Sequence, residues 1–294
     1  MKQPVFEGLA TALVTPFKNG TIDIPTFEKL IDSQLAAGVD ALVVCGTTGE
    51  SSTMSQHEQL SLISSAVRYV AGRCKIIAGT GSNDTAHALE LSCAAAAMGA
   101  DAVLLVTPYY NKCTQAGLIA HYTAIADKVP CPVICYNVPS RTGLDMSLET
   151  YAALSRHPNI QGVKEAGGSP AKIAKTIARC GDDFFLWSGN DDEAVSTMAL
   201  GGKGLISVLS NVRPKKTLSM LRACQQQDYR LAGALQRELL PLIDALFCEV
   251  NPIPVKKALA LEGLDVGLPR LPLTELSEEK LPALKAALKQ LPDA

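Results

Sequence analysis

Eight short apolar runs, rich in β-branched residues, recur along the chain: Leu9–Val14, Ala41–Cys45, Lys75–Ala78, Ala102–Val106, Pro132–Tyr136, Ile160–Lys164, Phe184–Trp187 and Gly204–Val208. Within each run the apolar residues are continuous rather than alternating. Both faces of such a strand must be covered, which is the behaviour of a parallel sheet. The intervening stretches carry a helical period. Phe27, Leu30, Ile31 and Leu35 follow i, i+3, i+4, i+8, and Leu60, Ile63, Val67 and Val70 form a second stripe. Ser55, with Glu58 three residues later, predicts a capping box in front of that stripe. Gly38-Val39-Asp40-Ala41-Leu42 and Gly99-Ala100-Asp101-Ala102-Val103 repeat one pattern: glycine ends a helix, aspartate marks the turn and a buried strand follows.

Eight such units before about residue 226 predict an α/β fold of the (β/α)8 (TIM) barrel type. The alternative is an open doubly wound sheet, which usually has fewer strands and often a Gly-x-Gly-x-x-Gly turn after the first. Here the first run is followed by Thr15-Pro16-Phe17. From about Pro214 only helical periodicity remains, and it is expected to break at Pro241, Pro252, Pro254, Pro269 and Pro272. Residues 1–226 are therefore read as the barrel, and residues 227–294 as a small C-terminal helical appendage.

With 27 lysines and arginines against 29 acidic residues, the 294-residue chain has a formal charge of −2. No basic surplus is available to neutralise nucleic-acid phosphates, so no nucleic-acid partner is expected. The longest greasy window, Cys93–Val106, is broken by Gly99 and Asp101, well short of the roughly 18 residues that span a bilayer. Neither a membrane association nor a signal peptide is expected, since Met1–Glu7 places an acid where an apolar run would stand. Nine cysteines, most inside apolar segments (Cys45, Cys93, Cys131, Cys135, Cys248), read as reduced core thiols of a cytoplasmic protein.

In a barrel of this kind the chemistry sits where the strands end. The second run leads into Gly46-Thr47-Thr48-Gly49-Glu50, and the fourth into Thr107-Pro108-Tyr109-Tyr110-Asn111. The fifth leads into Asn137-Val138-Pro139-Ser140-Arg141-Thr142-Gly143, the sixth ends in Lys164, and the seventh runs into Ser188-Gly189-Asn190-Asp191. Lys164 constrains the reaction most. Burial at the end of an apolar strand disfavours the ammonium, and a neutral amine there can form a Schiff base with a ketone. Read without chemistry, Lys164 is a rim lysine paired with Glu165; strand alternation opposes that pairing, because the two should point to opposite sides. Tyr136 can relay protons at the mouth or simply bond to backbone. The hydroxyls and amides of Thr47 and Thr48 can bind a carboxylate, although the segment also serves as a plain strand-to-helix turn. Arg141 suits bidentate carboxylate recognition, or stands as an ordinary surface arginine.

His57, His87, His121 and His157 all fall in or beside predicted helices. No His/Asp/Glu cluster has metal-ligand spacing, and no Gly-x-Ser-x-Gly elbow occurs, so neither a metal nor a cofactor is expected. Carbon–carbon chemistry without either leaves a lysine imine as the natural electron sink.

With Gly46-Thr47-Thr48-Gly49-Glu50, Tyr136–Gly143 and Val163-Lys164-Glu165 in this order, the chain resembles the dihydrodipicolinate synthase family of the pyruvate-dependent class I aldolase superfamily. The similarity runs essentially from residue 3 to the final helices and includes Gly204–Ser207 and Asn251–Lys256. The resemblance implies that Lys164 forms an imine with pyruvate and that the derived enamine attacks L-aspartate 4-semialdehyde. It makes Tyr136 the proton donor and acceptor, with Thr47 and Tyr110 completing a relay in which Tyr110 reaches a neighbouring subunit's site. It gives Thr48 and the backbone of Ile206 to pyruvate, Arg141 to the semialdehyde carboxylate, and Gly189 to the substrate pocket. A homo-oligomer is implied, usually a dimer of dimers.

Lysine-inhibited members bind that end product at positions that are here Ser51, Ser52, Gln56, Gln59, Asn83, His87 and Tyr109. Asn83 and Tyr109 fit that pattern. Gln56 and Gln59 replace histidines, and His87 replaces an acid. Without that carboxylate a desolvated lysine ammonium loses roughly a few kcal/mol, so weak or absent feedback is expected. Two other readings stand beside this one: a sister aldolase cleaving a 2-keto sugar acid such as N-acetylneuraminate, and a barrel that only binds a keto acid.

Overall fold

The computed structural model describes residues 2–292. Among them, eight parallel strands close a barrel: β1 (Gly8–Ala12), β2 (Ala41–Val44), β3 (Lys75–Gly79), β4 (Ala102–Val106), β5 (Val133–Asn137), β6 (Ile160–Glu165), β7 (Phe185–Ser188) and β8 (Gly204–Ser207). Each pairs with its sequence neighbours, and β1 pairs with both β2 and β8 to seal the ring. The continuous apolar runs have a simple origin. Alternate residues such as Ala10, Val43, Ile77, Leu104, Ile134 and Ile206 fill the barrel, while Leu9, Leu42, Ile76, Val103, Val133 and Leu205 pack outward against helices.

The first helices are α1 (Ile24–Ala37), α2 (Gln56–Val70), α3 (Thr85–Ala97) and α4 (Gln115–Ala126). They are followed by α5 (Leu148–Leu154), α6 (Pro170–Cys180), α7 (Ala194–Ala199) and α8 (Pro214–Gln225), the last lying between the final strand and the C-terminal helices. The capping box forms: Ser55 accepts from the Glu58 N–H while Glu58 accepts from the Ser55 N–H. Gly38 ends α1 with φ 83°, a left-handed conformation that glycine adopts without strain. The stripe on α2 is shifted from the sequence reading. Leu62, Ile63, Ala66 and Val70 are buried, whereas Leu60 and Val67 are only half-buried, because α2 packs between α1 and α3 and turns its flank to both.

Beyond α8 come α9 (Tyr229–Leu246), α10 (Ile253–Leu261) and α11 (Leu281–Gln290). One proline expectation needs correction. Helix α9 runs straight through Pro241. That proline lies on the exposed face, where the carbonyl it deprives of a donor one turn earlier can turn to water. The break expected at Pro252 and Pro254 is there: the chain leaves the helix after Leu246, Pro252 is the N-cap of α10 and Pro254 lies in its first turn, where its missing N–H is not needed. Among the described residues, no helix is long and apolar enough to cross a membrane.

The floor of the barrel is aromatic. Trp187 is fully buried, stacks on Phe6 at 5.3 Å between ring centres, and donates its indole N–H to the Phe6 carbonyl. The opposite end, where the strands finish, is polar.

Candidate active site

Pairing register places Lys164 between Tyr136 on β5 and Trp187 on β7. Those neighbours belong to the cluster filling the barrel, so Lys164 points inward with them. Glu165 faces the other way. Its carboxylate accepts from the Tyr151 hydroxyl at 2.5 Å, from Asn137 Nδ2 at 2.8 Å and from the Gly167 N–H at 2.9 Å. The rim pairing of Lys164 with Glu165 is thereby removed, for the reason alternation anticipates.

Lys164 is 6% exposed, with Nζ 4.3 Å from the centre of the Tyr136 ring. Burial drives its pKa down from 10.5 to about 8; the Asp191 carboxylate resists that shift and the Arg141 guanidinium adds to it. Asp191 is itself pinned, accepting from Ser207 Oγ at 2.5 Å and from the Val208 and Leu209 N–H groups at 3.1 Å. Gly189 makes room for the amine: a Cβ there would stand 3.0 Å from Lys164 Cε and 2.7 Å from the Ala166 Cβ. Tyr136 is also buried, which pushes its phenol pKa up, while Arg141 and a hydrogen bond with Thr47 pull it back. At neutral pH the phenol therefore keeps its proton and has one to give.

Thr47 and Thr48 sit in the tight turn after β2, where the Glu50 N–H bonds back to the Thr47 carbonyl. Thr48 Oγ1 accepts from Asn251 Nδ2 at 2.9 Å. Arg141 lies in the single helical turn Pro139–Thr142 and reaches the Asn251 carbonyl at 3.3 Å. Lys164, Tyr136, Thr47, Thr48, Arg141 and Gly189 all line one cavity of about 190 Å³ at the C-terminal mouth.

Two expected site residues stand apart from these walls. Ile206 is fully buried inside the barrel on β8. Tyr110 is 91% exposed on the loop after β4, with a left-handed φ of 69°. Asn251 and Phe247, from the segment after α9, were not singled out as site residues, yet both line the cavity. No local pattern marks them; only the return of the C-terminal helices over the barrel mouth brings them there.

A second cavity of about 410 Å³ shares Thr47 and Arg141 with the first and is lined by Ser51, Ser52, Gln59, His87 and Tyr109. Neither Gln56 nor Asn83 is on its wall. Gln56 instead donates to Glu90 at 3.1 Å, and the Asn83 carbonyl accepts from Asn111 Nδ2. Gln59 spends its amide on the Ser51 and Met54 carbonyls at 3.0 and 3.2 Å. Among the described residues lining this cavity, none is acidic.

The site thus joins a desolvated amine, a protonated phenol, two hydroxyls and a guanidinium, the set needed to form an imine and hold carboxylates. Known proteins resemble this chain along nearly its whole length. The model of the dihydrodipicolinate synthetase family matches residues 5–291. The chain is 51% identical over 275 residues to 4-hydroxy-tetrahydrodipicolinate synthase of Exiguobacterium sibiricum, covering 93% of this chain and 94% of that one. It is 50% identical to the enzyme of the same name from a Thermoanaerobacter species, over 98% of this chain and 97% of the relative. A crystal structure of the chloride-inhibited dihydrodipicolinate synthase of Acinetobacter baumannii, complexed with pyruvate, superposes with a TM-score of 0.95 at 44% identity, covering 97% of this chain and 98% of that one. A buried strand-end lysine in a closed barrel, with these likenesses running along nearly the whole chain, makes it a member of the dihydrodipicolinate synthetase family.

Proposed function

We propose that this protein is a 4-hydroxy-tetrahydrodipicolinate synthase, a lyase that condenses pyruvate with L-aspartate 4-semialdehyde on the way to diaminopimelate and lysine. The observation that carries the reading is the Lys164 amine: inward, 6% exposed and depressed to about pKa 8 against the Tyr136 ring. At pH 7 about a tenth of such an amine is neutral, against roughly three parts in ten thousand for an ordinary lysine. The neutral amine adds to the pyruvate ketone and expels water. Loss of a methyl proton turns the imine into an enamine, whose carbon attacks the aldehyde of the second substrate. That substrate's own amine then attacks the imine carbon, closes the six-membered ring and returns Lys164 as a free amine.

Tyr136 gives and takes the protons, with Thr47 beside it. Thr48, the backbone of Ile206 and the space kept by Gly189 receive pyruvate, and Arg141 receives the semialdehyde carboxylate. Tyr110 completes the relay in a second subunit of a homotetramer built as a dimer of dimers. Its 91% exposure supports this, since an aromatic ring left in water gains from a partner's cover. The barrel domain is residues 1–226 and the helical subdomain residues 227–294. The working compartment is the cytoplasm, where nine unpaired thiols persist. Feedback by L-lysine is weak, because the five expected residues lining the second cavity include no carboxylate for its ammonium; half-inhibition by micromolar lysine would contradict this.

Borohydride trapping with pyruvate, followed by peptide mass analysis, tests the reaction: the adduct is expected on Lys164. Turnover of aspartate semialdehyde, but not of N-acetylneuraminate or 2-keto-3-deoxygluconate, is the expected specificity. An adduct elsewhere, or preference for a sugar acid, would overturn the proposal.

A further inference from the structure

The loop that carries Thr47 and Thr48 is held from outside by a buried ion pair far from it in sequence. Lys256, on the first turn of α10, places Nζ 2.8 Å from Glu50 Oε1, and the two residues are only 2% and 3% exposed. Every donor and acceptor of this pair is engaged. Lys256 also donates to the Thr15 carbonyl at 3.1 Å and to the Leu268 carbonyl at 3.2 Å, while Glu50 Oε2 accepts from the Arg270 N–H at 2.8 Å. With its donors spent, Lys256 is no second nucleophile, and it is not on the wall of the cavity that holds Lys164. Phe17 stands against both cations, its ring centre 4.6 Å from Lys256 Nζ and 4.2 Å from the Arg270 guanidinium carbon.

Two features argue that this pair does more than hold the fold together. Burying two charges costs about as much as their attraction returns, so an apolar pair of similar volume would serve stability as well. Glu50 also adopts φ 57°, ψ 34°, a left-handed conformation that strains any residue but glycine, directly after Gly49. The surroundings hold the loop at three successive residues. Asn251 donates to Thr48 Oγ1, Thr15 Oγ1 donates to the Gly49 carbonyl at 2.6 Å, and Lys256 pairs with Glu50.

We propose that Glu50 and Lys256 are positioning residues for the condensation: their ion pair sets the Gly46–Glu50 loop so that Thr47 meets Tyr136 and Thr48 meets the pyruvate bound at Lys164. The inference rests on the function proposed above. It extends that function by making the C-terminal helices part of the catalytic geometry, although neither residue touches substrate.

The test is the double variant Glu50→Gln/Lys256→Met, which removes both charges and leaves neither buried alone. Its far-ultraviolet spectrum and thermal midpoint are expected to stay near those of the unaltered enzyme, and saturating pyruvate should still give the borohydride adduct on Lys164. Its kcat/KM is expected to fall about 100-fold, with a raised KM for pyruvate, because small misplacements of reacting groups cost that much. Full kcat/KM with an unchanged KM would overturn the proposal. If the double variant does not fold, Glu50→Gln alone decides: it keeps an acceptor for Lys256, and unchanged kinetics again overturn the proposal. Loss of the fold in both variants also overturns it, since the pair would then serve the barrel as a whole. Absence of an adduct in the unaltered enzyme would strike at the imine chemistry; an adduct there, with equal kinetics in the variants, would strike at the positioning role alone.

Discussion

The two ends of this barrel are made by the same strands and obey opposite rules. At the floor, Phe6, Phe185 and Trp187 interlock, with Phe6 and Trp187 stacked at 5.3 Å and Phe185 edge-on to Trp187 at 6.2 Å. One strand over, its backbone paired in register with that of Trp187, Lys164 is buried beneath the mouth, where its charge is disfavoured. The floor gains free energy by burial, while the mouth loses some, which on the function proposed above goes into reactivity. One barrel supports both because the hydrogen-bonded ring of strands is indifferent to what its side chains carry.

The largest expected effect breaks the mouth. Lys164→Ala removes the nucleophile, and turnover should fall by roughly a thousandfold or more with the fold intact. Steady-state kinetics and circular dichroism check both halves, and near-normal rates would end the imine mechanism. Next is the floor. Trp187→Ala opens a cavity and should cost about 3–5 kcal/mol of stability, read from urea midpoints.

Tyr136→Phe should lower kcat by about 100-fold while leaving the pyruvate adduct on Lys164 trappable. Tyr110→Phe should cost less, about tenfold, since in the proposed relay one member is lost while Tyr136 remains.

The smallest effect sharpens the comparison by its sign. Because folding lowers the Lys164 pKa from 10.5 to about 8, the unfolded chain binds the proton more tightly, and stability from this group rises with pH between those values. Lys164→Met should therefore stabilise the protein by roughly 1 kcal/mol, most clearly below pH 8, with the gain fading towards pH 10.5. A destabilised methionine variant would show that the amine carries no such cost. In the unaltered enzyme, kcat/KM for pyruvate should climb with pH and level off above about 8, where an ordinary lysine would keep climbing.

Residue pattern alone determined that this chain makes eight buried strands with helices between them, and that a lysine, a tyrosine, a threonine pair and an arginine finish those strands. Continuous apolar runs require cover on both faces wherever they sit, so the barrel was readable from local periodicity. That Lys164 and Glu165 point to opposite sides of their strand was readable as well, although alternation alone does not say which of them faces in. Folding in three dimensions decided the remainder. That Asn251 grips Thr48, that Lys256 pairs with Glu50 206 positions away, and that α9 passes through Pro241 all depend on how the last helices return across the barrel mouth. Such contacts join residues distant along the chain, and no periodicity records them. The depressed pKa of Lys164 belongs there too, since only the closed ring of strands buries the amine away from the water that would otherwise favour its charged form.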